Sequence, residues 1–242
     1  MALIRSAFRN YSVPASLAAF LVVTVLSVLS PATAHHPGEN LDAVMGNKET
    51  YFQMIDKAAP AFALRDQNGA AVDLADYAGK IVVLNFIYAH CPDVCPPHSE
   101  KIAEVQAMIN ESPMKSMVQF VSITTDPAND TPDLLASYGP DHGLDSENWI
   151  FLTTKPGQSD DMTRALAQAY GHKFTVTAEG FQTHGIVTHV IDRGGRWAAN
   201  FHGLKFGSVN LVLYINGLIN NANLPKNKRE PGLLDKMKGL LE

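Results

Sequence analysis

Cys91 and Cys95 are the only cysteines in the 242-residue chain, and they stand four residues apart. They lie in Asn85-Phe86-Ile87-Tyr88-Ala89-His90-Cys91-Pro92-Asp93-Val94-Cys95-Pro96, where an apolar run gives way to a loop. No third thiol competes for either sulfur, so they act together or on a ligand held between them. With Cys95 at a helix start the pair is about one turn apart and faces one way, Cβ atoms roughly 5–6 Å from each other. That spacing can chelate a soft metal ion. It also approaches disulfide geometry, for which Cα atoms are usually about 4.4–6.8 Å apart. A helix N-terminus favours thiolate. Metal binding and electron exchange therefore compete for the same two atoms. A purely structural bridge is the plain alternative, but it would close a very small loop and stabilise little.

Two thiolates rarely complete a metal site, so a further ligand is needed. The candidates are His90, His98, His142, His172, His184, His189 and His202. His90 and His98 are nearest in sequence, and for both the expected alternative is an exposed loop or helix-face histidine. His184 stands at the mouth of a strand-like segment, with His189 five residues on. Side chains alternate along a strand, so only one of those two can face the cysteine loop. Thiolates select copper(I), zinc or iron–sulfur chemistry. A structural zinc would want a fourth group, for which Asp93 or His90 could serve. Residue types and spacing leave copper and redox function both open.

The elements that must hold this loop can be read around it. Ile81 to Tyr88 and Val118 to Ile123 are nearly continuous apolar runs, as expected of strands buried on both faces. Pro96 and Pro97 suit the first turn of a helix, and Ile102, Val105, Met108 and Ile109 continue it at helical spacing. Short strands are expected over Ala59 to Leu64 and Val72 to Leu74. A helix is expected from about Leu134, a strand over Trp149 to Leu152, and a helix over Arg164 to Tyr170. Ile186 to Ile191 and Trp197 to Phe201 form a hairpin through Asp192-Arg193-Gly194-Gly195, and a closing helix covers Val209 to Leu218. Alternating strands and helices followed by a hairpin make an α/β sandwich with a mixed sheet. Asp126 and Asp130 read as turn and helix-capping residues. Asp93 reads equally as a turn former or as an acid that tunes the cysteines. Asn85 and Tyr88 read as strand-packing residues near the site.

Residues 1–34 have the make-up of an export signal. Arg5 and Arg9 precede an apolar stretch from Leu17 to Leu29, and Ala32-Thr33-Ala34 is a small-x-small cleavage site. The stretch is short for a membrane span, which needs about 20 residues, so cleavage is expected over a retained anchor. Cleavage after Ala34 leaves 208 residues, enough for one domain with a sizeable core. It also removes two arginines and no acid, taking the formal charge from −5 to −7. That balance gives no support to nucleic-acid binding. The expected organisation is a signal peptide over 1–34, a flexible lead-in over 35–56, a domain over 57–220, and a tail over 221–242 forming a short helix. His35-His36 at a new terminus is either loose chain or a weak copper(II) site.

The cysteine segment resembles the signature of the Sco/SenC family. So do Val121-Ser122-Ile123-Thr124-Thr125-Asp126-Pro127-Ala128-Asn129-Asp130-Thr131-Pro132 and His184 followed eight residues later by Asp192-Arg193-Gly194-Gly195. Ala59-Pro60-Ala61-Phe62 and Trp149-Ile150-Phe151-Leu152 also fit, and the resemblance spans roughly residues 57–219. It implies a thioredoxin-like fold, in its peroxiredoxin-like variant, a three-layer α/β sandwich. It implies a site for copper, Cu(I) and Cu(II), made of Cys91, Cys95 and His184, which the disulfide form cannot hold. It implies a periplasmic factor, a metallochaperone more than an enzyme, serving the CuA centre of cytochrome c oxidase subunit II or another periplasmic copper protein. Membrane contact would come only through a retained leader. The rival reading is a thiol–disulfide reductase with Cys91 attacking and Cys95 resolving; a third is a copper or redox sensor. The chain has no proline between Pro156 and Pro225, where a general thioredoxin oxidoreductase carries a cis-proline. It has Tyr88 where a peroxiredoxin carries threonine. The first departure favours metal over broad thiol exchange, and the second argues against peroxidase activity.

Overall fold

The computed structural model describes residues 41–176, 182–183 and 185–221. The leader, His35-His36, His184 and the tail beyond Asn221 lie outside the described residues. Among the described residues, ten strands and five α-helices follow in order. They are α1 (Leu41–Lys48), β1 (Phe52–Ala58), β2 (Ala63–Asp66), β3 (Ala71–Asp73), β4 (Ile81–Ile87), α2 (Cys95–Asn110), β5 (Val118–Thr124), α3 (Pro132–Asp141), β6 (Trp149–Thr153), α4 (Asp161–Ala169), β7 (Thr175–Val176), β8 (Gln182–Thr183), β9 (Val187–Ile191), β10 (Arg196–His202) and α5 (Ser208–Asn221).

Eight strands form one sheet in the order β1-β10-β9-β4-β5-β6-β2-β3, and β7 pairs with β8 in a separate ribbon. β4, β5 and β6 run parallel, while β9 joins β4 antiparallel. The sheet is therefore mixed. Every residue of β4 and β5 is buried, as their nearly continuous apolar runs lead one to expect of central parallel strands. One face of the sheet carries Ile81, Val83, Ile87 and Phe120 against Ile102 and Val105 of α2, Leu135 of α3, and Leu211 and Ile215 of α5. The other carries Leu84, Phe86, Val121 and Ile123 against Ala167 of α4 and Tyr170. Helices on both faces make this the three-layer, thioredoxin-like α/β sandwich.

The lead-in differs from expectation. Residues 41–48 are a helix and residues 52–58 an edge strand paired with β10, Phe52 opposite Phe201. Met45 is buried, and Leu41 packs so closely on α5 that a Cβ on Gly217 would stand 2.6 Å from its Cδ1. Buried Glu49 accepts bonds from the Gly207 and Tyr51 amides and from Asn210 Nδ2. Gly207 and Asn210 are 158 and 161 residues distant in sequence. A local pattern could not reveal them, and an edge strand with two half-buried residues carries little alternation.

Candidate functional site

β4 and β5 are parallel neighbours paired from Ile81↔Val118 to Ile87↔Thr124. The loops that follow them leave the sheet side by side, at the carboxyl ends of strands where open α/β sheets place their sites. Thr125 N donates to Ile87 O at 2.8 Å and ties the two exits together. The loop after β4 carries Tyr88 to Val94, and α2 begins at Cys95 with proline in its first turn. Both cysteines are buried, free, and part of the core against α2.

The N-cap of α2 is Val94, whose side chain has no oxygen to accept an orphan amide. The Cys91 sulfur takes that role: Cys95 N donates to it at 3.3 Å. The Cys95 thiol, the Asp93 amide and a Tyr88 side-chain hydrogen bond also serve Cys91. Together these donors, the Cys95 thiol foremost, pull the Cys91 thiol down to about 5 against the opposing effect of burial. Cys95 is pushed strongly up, by its bond to Cys91 and by burial. The Cys91 thiol is thus the more acidic of the two, at a helix N-terminus, with the Cys95 thiol beside it. A thiolate is the form that attacks disulfides and binds soft metals.

Asp93 is exposed and reaches the sulfur through its backbone N–H. Asp130 departs from its expected capping role. Thr131 caps α3, accepting from Leu134 N, whereas the Asp130 carboxylate is buried. Both its oxygens approach Ala89 N, at 3.2 and 3.1 Å, and it accepts a short bond from the Thr124 hydroxyl. His90 Nδ1 lies 3.4 Å from the same carboxylate, with the ring largely exposed. Burial raises the Asp130 carboxyl above the usual range.

The other histidines disperse. His98 is fully buried rather than exposed, because it lies on the inward face of α2 with Cys95, Ser99 and Ile102; its Nε2 bonds Thr188 Oγ1 at 2.9 Å. His142 packs at a tilt against Tyr138 at α3's end, and His202 bonds Gln53 at the β10–β1 pair. His189 faces the opposite side of the sheet, among Phe86, Tyr170 and Trp197. Among the described residues no three His, Cys, Asp or Glu side chains converge as a metal site. The cysteine pair supplies two soft donors suited to copper(I), and the expected third ligand, His184, lies outside the described residues.

His189 and His172 meet through their Nε2 atoms at 2.8 Å. Asn200 Oδ1 accepts from the Trp197 indole, which can only donate, and lies 2.7 Å from His189 Nδ1. His189 must then carry its proton on Nδ1 and accept from His172 at Nε2. Burial, then His172, holds His189 well below the usual histidine range. Both states are neutral above about pH 6.5, and below it the unfolded chain takes a proton that folded His189 refuses. Stability should therefore fall as pH drops, by about 1 kcal/mol between pH 6.5 and 5.5. Urea unfolding of a Cys91→Ser background, where Cys91 no longer titrates, measures this; equal stability at pH 7 and 5.5 would contradict it.

A family model described as SCO1/SenC matches residues 53–210. The SCO1 protein homolog of Bacillus subtilis is 29% identical over 92 residues, which cover 38% of this chain and 47% of that protein. The match thus spans about half of that relative's length. Bradyrhizobium japonicum ScoI, solved with copper bound, superposes with a TM-score of 0.55 at 28% identity over 66% of this chain and 99% of its own. BsSco, a member of the Sco family of cytochrome c oxidase assembly proteins in which a disulfide switch was identified, shares the fold. Its TM-score is 0.60 at 20% identity, covering 69% of this chain and 96% of that one.

Proposed function

This chain belongs to the SCO1/SenC family, and from that premise we propose that it is a periplasmic copper-binding assembly factor for cytochrome c oxidase. Cys91 and Cys95 would hold copper as thiolates and His184 as an imidazole. The cargo would go to the CuA centre of subunit II, by exchange of these ligands for the partner's. The observation that carries this reading is the sulfur pair itself, two soft donors together at the strand ends, with the Cys91 thiol drawn down by the Cys95 thiol and the N–H groups around it. Copper(I) suits such a set and tolerates three ligands. The copper bound to ScoI, at 28% identity, adds support. Export rests on the make-up of residues 1–34, and no helix among the described residues is long and apolar enough to cross a membrane.

The asymmetry of the pair favours a second reading, a thiol–disulfide reductase for a partner's copper-site cysteines. The Cys91 thiolate would attack one partner sulfur and release the other as thiolate. Cys95, giving up its proton, would then displace the first. The partner ends as dithiol and this chain as the Cys91–Cys95 disulfide, so two electrons pass to the partner. His184→Ala separates the readings. Loss of oxidase assembly with thiol exchange intact is expected for copper delivery, whereas full oxidase assembly in the variant would remove His184 as a ligand.

A further inference from the structure

Asp130 is a buried carboxylate whose bonding is committed to the two loops at the strand ends. Its oxygens reach Ala89 N, two residues before Cys91, and the hydroxyl of Thr124, the last residue of β5. Thr124 Oγ1 in turn accepts from Asp126 N at 2.9 Å, and Asp130 N donates to Asp126 O at 3.0 Å. The carboxylate is thus braced by its own loop and grips the neighbouring one. Burying it is tolerable only because these bonds are made. Helix capping does not explain it, since Thr131 already caps α3.

We propose that Asp130 is the positioning residue of the cysteine loop: by holding the Ala89 amide it fixes where Cys91 leaves the sheet, and so keeps the two sulfurs within reach of each other. The inference rests on Cys91 and Cys95 being the reacting pair, and not on copper. Its consequence is thermodynamic. A loop already ordered loses less conformational entropy when the disulfide closes, so the anchor raises the effective concentration of one thiol toward the other.

The test is the metal-free equilibrium with glutathione, in which two protein thiols and oxidised glutathione give the Cys91–Cys95 disulfide and two reduced glutathiones. Wild type is compared with Asp130→Asn, which keeps an acceptor oxygen for the Ala89 amide and the Thr124 hydroxyl, and with Asp130→Ala, which keeps none. Asp130→Ala is expected to shift the equilibrium constant toward dithiol about tenfold, equivalent to about 30 mV. Asp130→Asn should stay within about threefold of wild type. A merely structural residue would lower the melting temperature without this ordering of potentials. Asp130→Ala on the wild-type curve overturns the inference, as does Asp130→Asn displaced as far as Asp130→Ala. Should Asp130→Ala not fold, Thr124→Val removes the hydroxyl that braces the carboxylate and is expected to shift the equilibrium the same way by about threefold; no shift there overturns the inference. A wild-type protein that forms no disulfide at any glutathione ratio overturns the reacting-pair reading and this inference with it.

Discussion

Cys91→Ser is expected to lower copper(I) affinity about a thousandfold or more, on the order of 4 kcal/mol, because hydroxyl oxygen is a hard, neutral donor where soft thiolate is required. It should also weaken the start of α2. The Cys91 sulfur caps a helix whose own N-cap, Val94, has no acceptor. Serine can still accept from the Cys95 amide, but it brings no charge to the helix N-terminus. The stability loss is therefore expected to be about 0.3–1 kcal/mol above the ordinary thiol value of about 8.5, fading as pH falls toward 5 and Cys91 takes up its proton. Cys95→Ser gives a different pattern. Copper binding falls similarly, yet the hydroxyl that replaces the thiol can still donate to the Cys91 sulfur, so iodoacetamide should continue to modify Cys91 rapidly near neutral pH. Competition against a copper(I) chelator and the pH profile of alkylation check the two variants. Alkylation of Cys91 in Cys95→Ser that rises only near the ordinary thiol value of about 8.5 would contradict the lowered Cys91 thiol.

Gly139→Ala is expected to cost the fold about 2–3 kcal/mol. Helix propensity alone predicts the reverse, a gain of about 1 kcal/mol in the interior of α3. Packing decides the sign. A Cβ at Gly139 would stand 2.6 Å from Cη2 and 2.7 Å from Cε3 of Trp149, and closer still to Cζ3. That ring is buried, its indole N–H donates to Ser122 Oγ at 3.0 Å, and Phe151 lies edge-on beside it. The ring cannot retreat without breaking the bond that connects β6 to β5. Overpacking of this kind typically costs about 1–3 kcal/mol and occasionally more. For a domain of this size the melting temperature should drop by roughly 5–10 °C. An unchanged or raised melting temperature would mean that Trp149 has room to move.

The parts of this molecule that are legible in the sequence are those whose signals are local. The apolar runs of β4 and β5, the prolines opening α2, and the Asp192–Gly195 hairpin with Gly195 at φ 79° all act over a few residues. The cysteine pair is legible for the same reason, since four residues across a loop and a helix start leave the sulfurs few places to go. The features that escape a sequence reading depend on distant partners. α1 and β1 are held by α5 and β10, at the far end of the chain. His98 reads as a surface residue when proximity to Cys95 is weighed and the phase of α2 is not; positions 95, 98, 99, 102 and 105 share its buried face. Asp130 reads as a cap because it precedes a helix, although two parallel strands must place their exit loops together. That adjacency is already implicit in the successive apolar runs. The Cys91 cap has a signal of its own in Val94, a residue unable to cap the helix that follows it.

The two sulfurs carry the copper reading as soft donors and would also serve thiol exchange, and His184 is where the readings part. The direct test is an anaerobic copper(I) titration of the reduced protein against a competing chelator, beside His184→Ala. Tight one-to-one binding that weakens by orders of magnitude in the variant is the result expected of a Cys91, Cys95 and His184 site. Weak binding, or binding unchanged by the substitution, would contradict it and leave Cys91 and Cys95 as a redox pair.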